Sequence, residues 1–119
     1  MKTSEEIKTF LDFLREVEPR YKDALDAVRT EEKRTQDFLH AIEFEPYAEE
    51  RSKIATKMKA SRMVRRQNKD IVEELEPIVE FIDAPQNRRT INQLSELLGK
   101  VRKVENYHEN RVYHPRVEK

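Results

Sequence analysis

Two fragments of this sequence set a carboxylate and an imidazole one helical turn apart, Asp37-x-x-His40 and Glu105-x-x-His108. In a helical bundle that spacing presents two ligands to a shared di-iron site, given matching ligands on facing helices. The register argues against it here. Glu105 and His108 are expected to point inward, whereas His40 sits outside the seam marked by Phe38 and Ile42, and the two pairs fall at different heights. His108 reads better as a core-edge histidine and His114 as a tail residue. Glu73, Glu76, Glu80 and Asp83 carry enough carboxylate for magnesium, as in an all-helical nucleotide pyrophosphatase, but that chemistry draws its ligands from two facing helices and these four share one stripe. No Gly-rich loop can cradle a phosphate, cysteine is absent, and nothing orients a serine nucleophile. The expectation is a non-enzyme that needs neither cofactor nor metal.

The charged groups form a different pattern. At about 100° per residue, Arg51, Lys59, Arg62, Arg65, Arg66 and Lys69 fall along one side of a helix, and Glu73, Glu76, Glu80 and Asp83 continue the same side. The basic half can hold phosphates by releasing their counterions, which is the electrostatic basis of nucleic-acid binding. No aromatic residue is interleaved for base stacking, and no helix-turn-helix or zinc pattern accompanies it. Positive first and negative last also opposes the helix macrodipole, so the order does not serve the helix itself. Two readings remain: a contact in which each half meets its opposite on another molecule, or a solvated face partly paired with acidic residues of the preceding helix.

The elements that must carry these side chains are legible from period and punctuation. Thr3-Ser4-Glu5-Glu6 has the form of a capping box, so a first helix is expected over about 4–44. Ile7, Phe10, Leu14, Val17, Tyr21, Ala24, Val28, Glu31, Thr35, Phe38 and Ile42 follow at alternating steps of three and four. The phase passes through Pro19 unbroken, which marks a kink in a continuing helix. At Pro46 the phase is lost, so Glu43-Phe44-Glu45-Pro46 is expected to be the turn of a helical hairpin. The second helix, about 47–83, carries Ile54, Met58, Val64, Ile71, Val72, Leu75, Ile78, Val79 and Ile82 inward and again keeps phase through its proline, Pro77. In such a hairpin facing residues have numbers summing to roughly 92, which sets the two prolines at nearly one height. Glu31 and Thr35, with Arg65, Gln67 and Asn68, interrupt the seams and offer a polar layer that can fix register. Asp83-Ala84-Pro85-Gln86-Asn87 reads as a linker. Thr90-Ile91-Asn92-Gln93 reads as a second capping box, opening a third helix over about 90–110 with Ile91, Leu94, Leu98, Val101 and Val104 inward. Residues 111–119 form a tail of unassigned structure. Gly99, inside helix 3, either admits a close neighbour or is simply tolerated.

Composition fits this all-α plan of one domain, a long kinked antiparallel hairpin with a shorter third helix. Of 119 residues 40% are charged and 36% hydrophobic, with one glycine, against ~25% and ~45–50% in ordinary domains. Long helices with narrow apolar seams produce that ratio. The formal net charge of zero conceals segregation: −6 over residues 1–50, +8 over 51–69, −6 over 70–85 and +4 over 86–119. The opening residues lack the apolar stretch of a signal peptide and no run approaches the ~18 residues of a membrane span, so a soluble, cytoplasmic protein without membrane contact is expected. Narrow seams leave apolar edges, and a homodimer is expected to cover them. The hairpin tip, with Phe38, Phe44 and Tyr47, is expected to be two helices without a third.

The wording GKVRKVENYHENRVYHPRV at residues 99–117, preceded by RRQNKDIVEELEPIVEFI, resembles small uncharacterised helical proteins encoded by phages and prophages of Gram-positive bacteria. The resemblance implies an accessory role with no defined residue function, in which the chain binds a host or viral protein. The alternative expectation is nucleic-acid binding through the basic stripe.

Overall fold

The computed structural model describes residues 2–112 together with Pro115 and Val117; the reading of His114 as a tail residue lies outside them. The fold is all-α. Three helices, α1 (Thr3–Phe44), α2 (Ala48–Asp83) and α3 (Pro85–Glu109), account for the architecture, with no strand among the described residues. Both α1 and α2 run through their internal prolines, Pro19 and Pro77, as the unbroken phase required. No helix is long and apolar enough to cross a membrane.

The chain forms two compact units, Met1–Arg15 with Ile82–Lys119, and Glu16–Phe81. In the first, the opening turns of α1 lie antiparallel to α3. The backbone N–H of Ser4 donates to Glu105 Oε2 at 3.0 Å, Lys2 pairs with Glu109, and Arg15 Nη2 donates to Ser95 Oγ at 3.3 Å. Leu11, Leu14 and Leu98 are the buried apolar residues of this unit. The periodicity had Phe10 on the seam, but Leu11 is 1% exposed and Phe10 52%. With Ser4, Ile7 and Leu14 at steps of three and four, Leu11 completes the inner face and Phe10 falls to its edge. On α3, Val104 is likewise exposed and Glu105 takes the half-buried position after Val101, because its carboxylate has a donor to meet.

Two start signals resolve differently from expectation. Thr3 is already helical, so the Thr3–Glu6 box does not form; Glu5 Oε2 accepts the Lys2 N–H instead, one residue earlier, while Glu105 supplies the acceptor for Ser4. The expected linker at 83–87 shrinks to Ala84, in extended conformation (φ −64°, ψ 129°), and α3 begins at Pro85 rather than near residue 90. Proline suits that first position because its fixed φ is helical and its missing N–H would be unpaired there anyway. The Ala84 carbonyl accepts from Asn87 and Arg88, and Asp83 holds the Arg88 guanidinium at 3.0 Å. Thr90 therefore lies inside the helix, its hydroxyl donating to the Gln86 carbonyl.

The second unit is the hairpin of α1 and α2. Val17, Ala24 and Leu75 are its buried apolar residues. At its middle a buried hydrogen bond joins Ser61 Oγ to Glu31 Oε2, and the numbers of these two residues sum to the predicted 92. Arg34 completes the Glu31 carboxylate at 2.7 Å. Val64, assigned to the seam, is 41% exposed, and Ser61 occupies the inner position instead. The corner at Glu45-Pro46-Tyr47 is closed by its own groups: Tyr47 N–H donates to Glu45 Oε1, Arg51 N–H to the Tyr47 carbonyl, and Arg51 Nη1 to the Glu45 carbonyl at 2.9 Å.

Candidate functional site

Each of the ten stripe residues lies on α2 between Arg51 and Asp83, and the helix carries them without interruption. Leu75 and Ser61 are buried on its inner side; Lys59, Arg62, Arg66, Glu73, Glu76, Glu80 and Asp83 are exposed. The ten side chains do not act as one set. Arg51 is committed to the hairpin corner, Arg65 reaches Glu32 on α1 at 3.3 Å, and Asp83 is held by Arg88. The side chains of Lys59, Arg62, Arg66 and Lys69, and those of Glu73, Glu76 and Glu80, have no hydrogen bond or ion pair to another described residue. Pairing with acidic α1 therefore occupies Arg65 and leaves the greater part of the stripe uncompensated.

Apolar atoms accompany the basic half. Ala55, Met58, Lys59, Arg62, Met63 and Arg66 line a shallow depression on α2. Methionine there offers a polarisable surface between cationic groups, able to follow the contour of a docked element. Met63 and Phe81 are each 57% exposed. Sequence reasoning missed both, because neither lies on the inner seam; the signal that could have found them is their separation of eighteen residues, five helical turns, on the flank of the stripe.

At the hairpin tip Phe38 is half-buried, while Phe44 and Tyr47 are 77% and 70% exposed. Asp37 and His40 both face solvent, and His108 is exposed beside Thr3, Val101 and Val104 on the first unit. Glu105 parts company with His108 by turning to Ser4: hydrogen bonding from Ser4 holds its carboxyl below the usual glutamate range. A carboxylate spent on an amide N–H is a structural anchor. Among the described residues no three histidine, aspartate or glutamate side chains come together to hold a metal. The chain matches no protein-family model, no curated protein and no solved structure.

Proposed function

We propose that this chain is a non-enzymatic interaction protein whose working surface is the outer face of α2. One observation carries the reading: seven charged side chains on that face, sorted by sign along the helix axis, find no partner among the described residues. Such sorting places acids toward the C-terminal end of α2, where the dipole disfavours them by about 0.3–1 kcal/mol for a group in the last turn. A surface that works against its own helix is explained by something that docks on it. An accessory protein of the phage or prophage kind, soluble in the cytoplasm and binding a host or viral protein or its own copy, fits this surface.

Affinity capture tests the reading. The wild-type chain should retain one stoichiometric protein, and Arg62→Glu with Arg66→Glu should release it while far-ultraviolet circular dichroism remains helical. Retention unchanged by those substitutions removes α2 as the working face. The unpaired cations Lys59, Arg62, Arg66 and Lys69 support a second reading, nucleic-acid binding. It requires a salt-sensitive shift of labelled DNA or RNA that the same two substitutions abolish.

A further inference from the structure

We infer that the outer face of α2 pairs with the same face of a second copy of this chain, antiparallel, about a two-fold axis that passes opposite Ile71. This rests on the interaction reading above and specifies the partner and the register.

Six of the seven unpaired charges are symmetric about residue 71 with opposite sign; the seventh, Lys59, mirrors Asp83, which Arg88 already holds. Lys69 and Glu73 lie two residues to either side, Arg66 and Glu76 five, and Arg62 and Glu80 nine. All six lie within about 40° of one line along the helix. Arg62 and Glu80 point the same way, about five turns apart, on the side opposite half-buried Ile71; Lys69 and Glu73 fall about 20° to either side of that line, and Arg66 and Glu76 about 40°. In an isologous pair each residue meets the one its counterpart meets in return, so an antiparallel copy brings each of these cations level with a carboxylate: Arg62 meets Glu80 on the contact line, while Lys69 with Glu73 and Arg66 with Glu76 reach across it from opposite flanks. A parallel copy sets like against like. Asp70 stands about 80° from the contact line at the rim, with Arg66 one turn away on the same helix to offset it.

Met63 and Phe81 lie on one side of α2 about 100° from the contact line, farther round than Asp70, so they border the contact and do not fill it. Exposed ion pairs are screened by salt, so the pairing is salt-sensitive.

Sedimentation velocity decides the matter. At tens of micromolar and low salt the wild type should run as a dimer, dissociating at about 0.5 M salt as the screening length shortens. Arg62→Glu with Arg66→Glu should weaken the dimer at least tenfold, and Glu76→Lys with Glu80→Lys should do the same. An equimolar mixture of the two variants should recover the dimer, because the mixed pair opposes the new glutamates to the new lysines and leaves native arginine against native glutamate. Helical circular dichroism of each variant guards against unfolding. A wild-type monomer overturns the pairing, as does a dimer that the mixture does not restore. If the monomer still retains a protein or shifts nucleic acid through Arg62 and Arg66, the pairing falls and a reading of the same face stands without it; if the dimer forms and the substitutions leave it untouched, the pairing falls, and the face itself falls only if retention of a partner is also unchanged.

Discussion

The two units close on opposite kinds of group. In the first, Leu11, Leu14 and Leu98 are buried and the polar contacts lie at the rim, where Glu105 and Glu109 take Ser4 and Lys2. In the second, the buried apolar residues Val17, Ala24 and Leu75 come from one stretch of each helix, and the middle closes on a buried glutamate and serine. Apolar burial carries the free energy, at roughly 25 cal/mol per Å², but slides easily because one leucine replaces another. A buried carboxylate with a single hydroxyl opposite it accepts one register, since any slip leaves it without its donor. The first unit is held in register from its edge and the second from its interior.

The largest expected effects break one unit at a time. Leu11→Ala and Leu75→Ala should each cost about 2–5 kcal/mol of unfolding free energy, read from urea melts. Native-state hydrogen exchange should show protection falling first in α3 for Leu11→Ala and in the middle of α2 for Leu75→Ala; loss spread evenly over both would erase the distinction between the units. Next, Glu31→Ala leaves the Ser61 hydroxyl buried without its acceptor and should cost about 1–3 kcal/mol. Joining Glu31→Leu to Ser61→Ala removes both polar groups together and should return most of that stability, with the register less well specified. A double variant no better than Glu31→Ala alone would show that the carboxylate does more than select register.

Smaller changes sharpen the contrast from the first unit. Gly99 is exposed within α3 and a Cβ there would meet nothing within 4 Å, so Gly99→Ala should raise stability by about 1 kcal/mol through helix propensity. The smallest effect is on pH dependence. The Glu105 carboxyl is held low by Ser4, so its contribution is present above the ordinary glutamate range and is lost as pH falls through the depressed value. Lys2 is held above its usual value, first by its hydrogen bond to Glu109, so its contribution is present below the ordinary lysine range and is lost as pH rises through the elevated value. The Ser4 amide should therefore exchange faster, relative to its intrinsic rate, at both extremes of pH, and Glu105→Gln should remove the acid limb.

The long seams were legible because period survives where partners do not need to be known. Leu14, Val17, Ala24, Glu31 and Leu75 are all buried where alternating steps of three and four set them. The hairpin turn at Pro46 and the passage of α1 and α2 through Pro19 and Pro77 followed from phase alone. The errors cluster where a tertiary partner overrides a local signal. Thr3 and Thr90 have the right neighbours for capping boxes, yet Glu105 supplies the acceptor at one and Pro85 starts the helix before the other. Phe10 and Val64 lost their inner positions to Leu11 and Ser61, a choice that depends on what stands opposite, and a periodic pattern carries no record of that. The charge stripe was visible as a row of ten; that Arg51, Arg65 and Asp83 are tied up within the chain could only be seen once the corner, Glu32 and Arg88 were in place.

That commitment of Arg51 gives the hairpin corner an unusual relation to proteases. Phe44 and Tyr47 are displayed to solvent, and an enzyme that selects aromatic residues finds two of them at a chain reversal, where nicking concentrates. Cleavage needs the backbone drawn out into a cleft, and here Tyr47 N–H and both Arg51 donors hold it folded. The rate of cutting at Phe44 and Tyr47 therefore reports how often that clamp lets go, in the regime where reclosing outpaces the enzyme. Arg51→Ala would turn a displayed but resistant corner into the preferred point of scission.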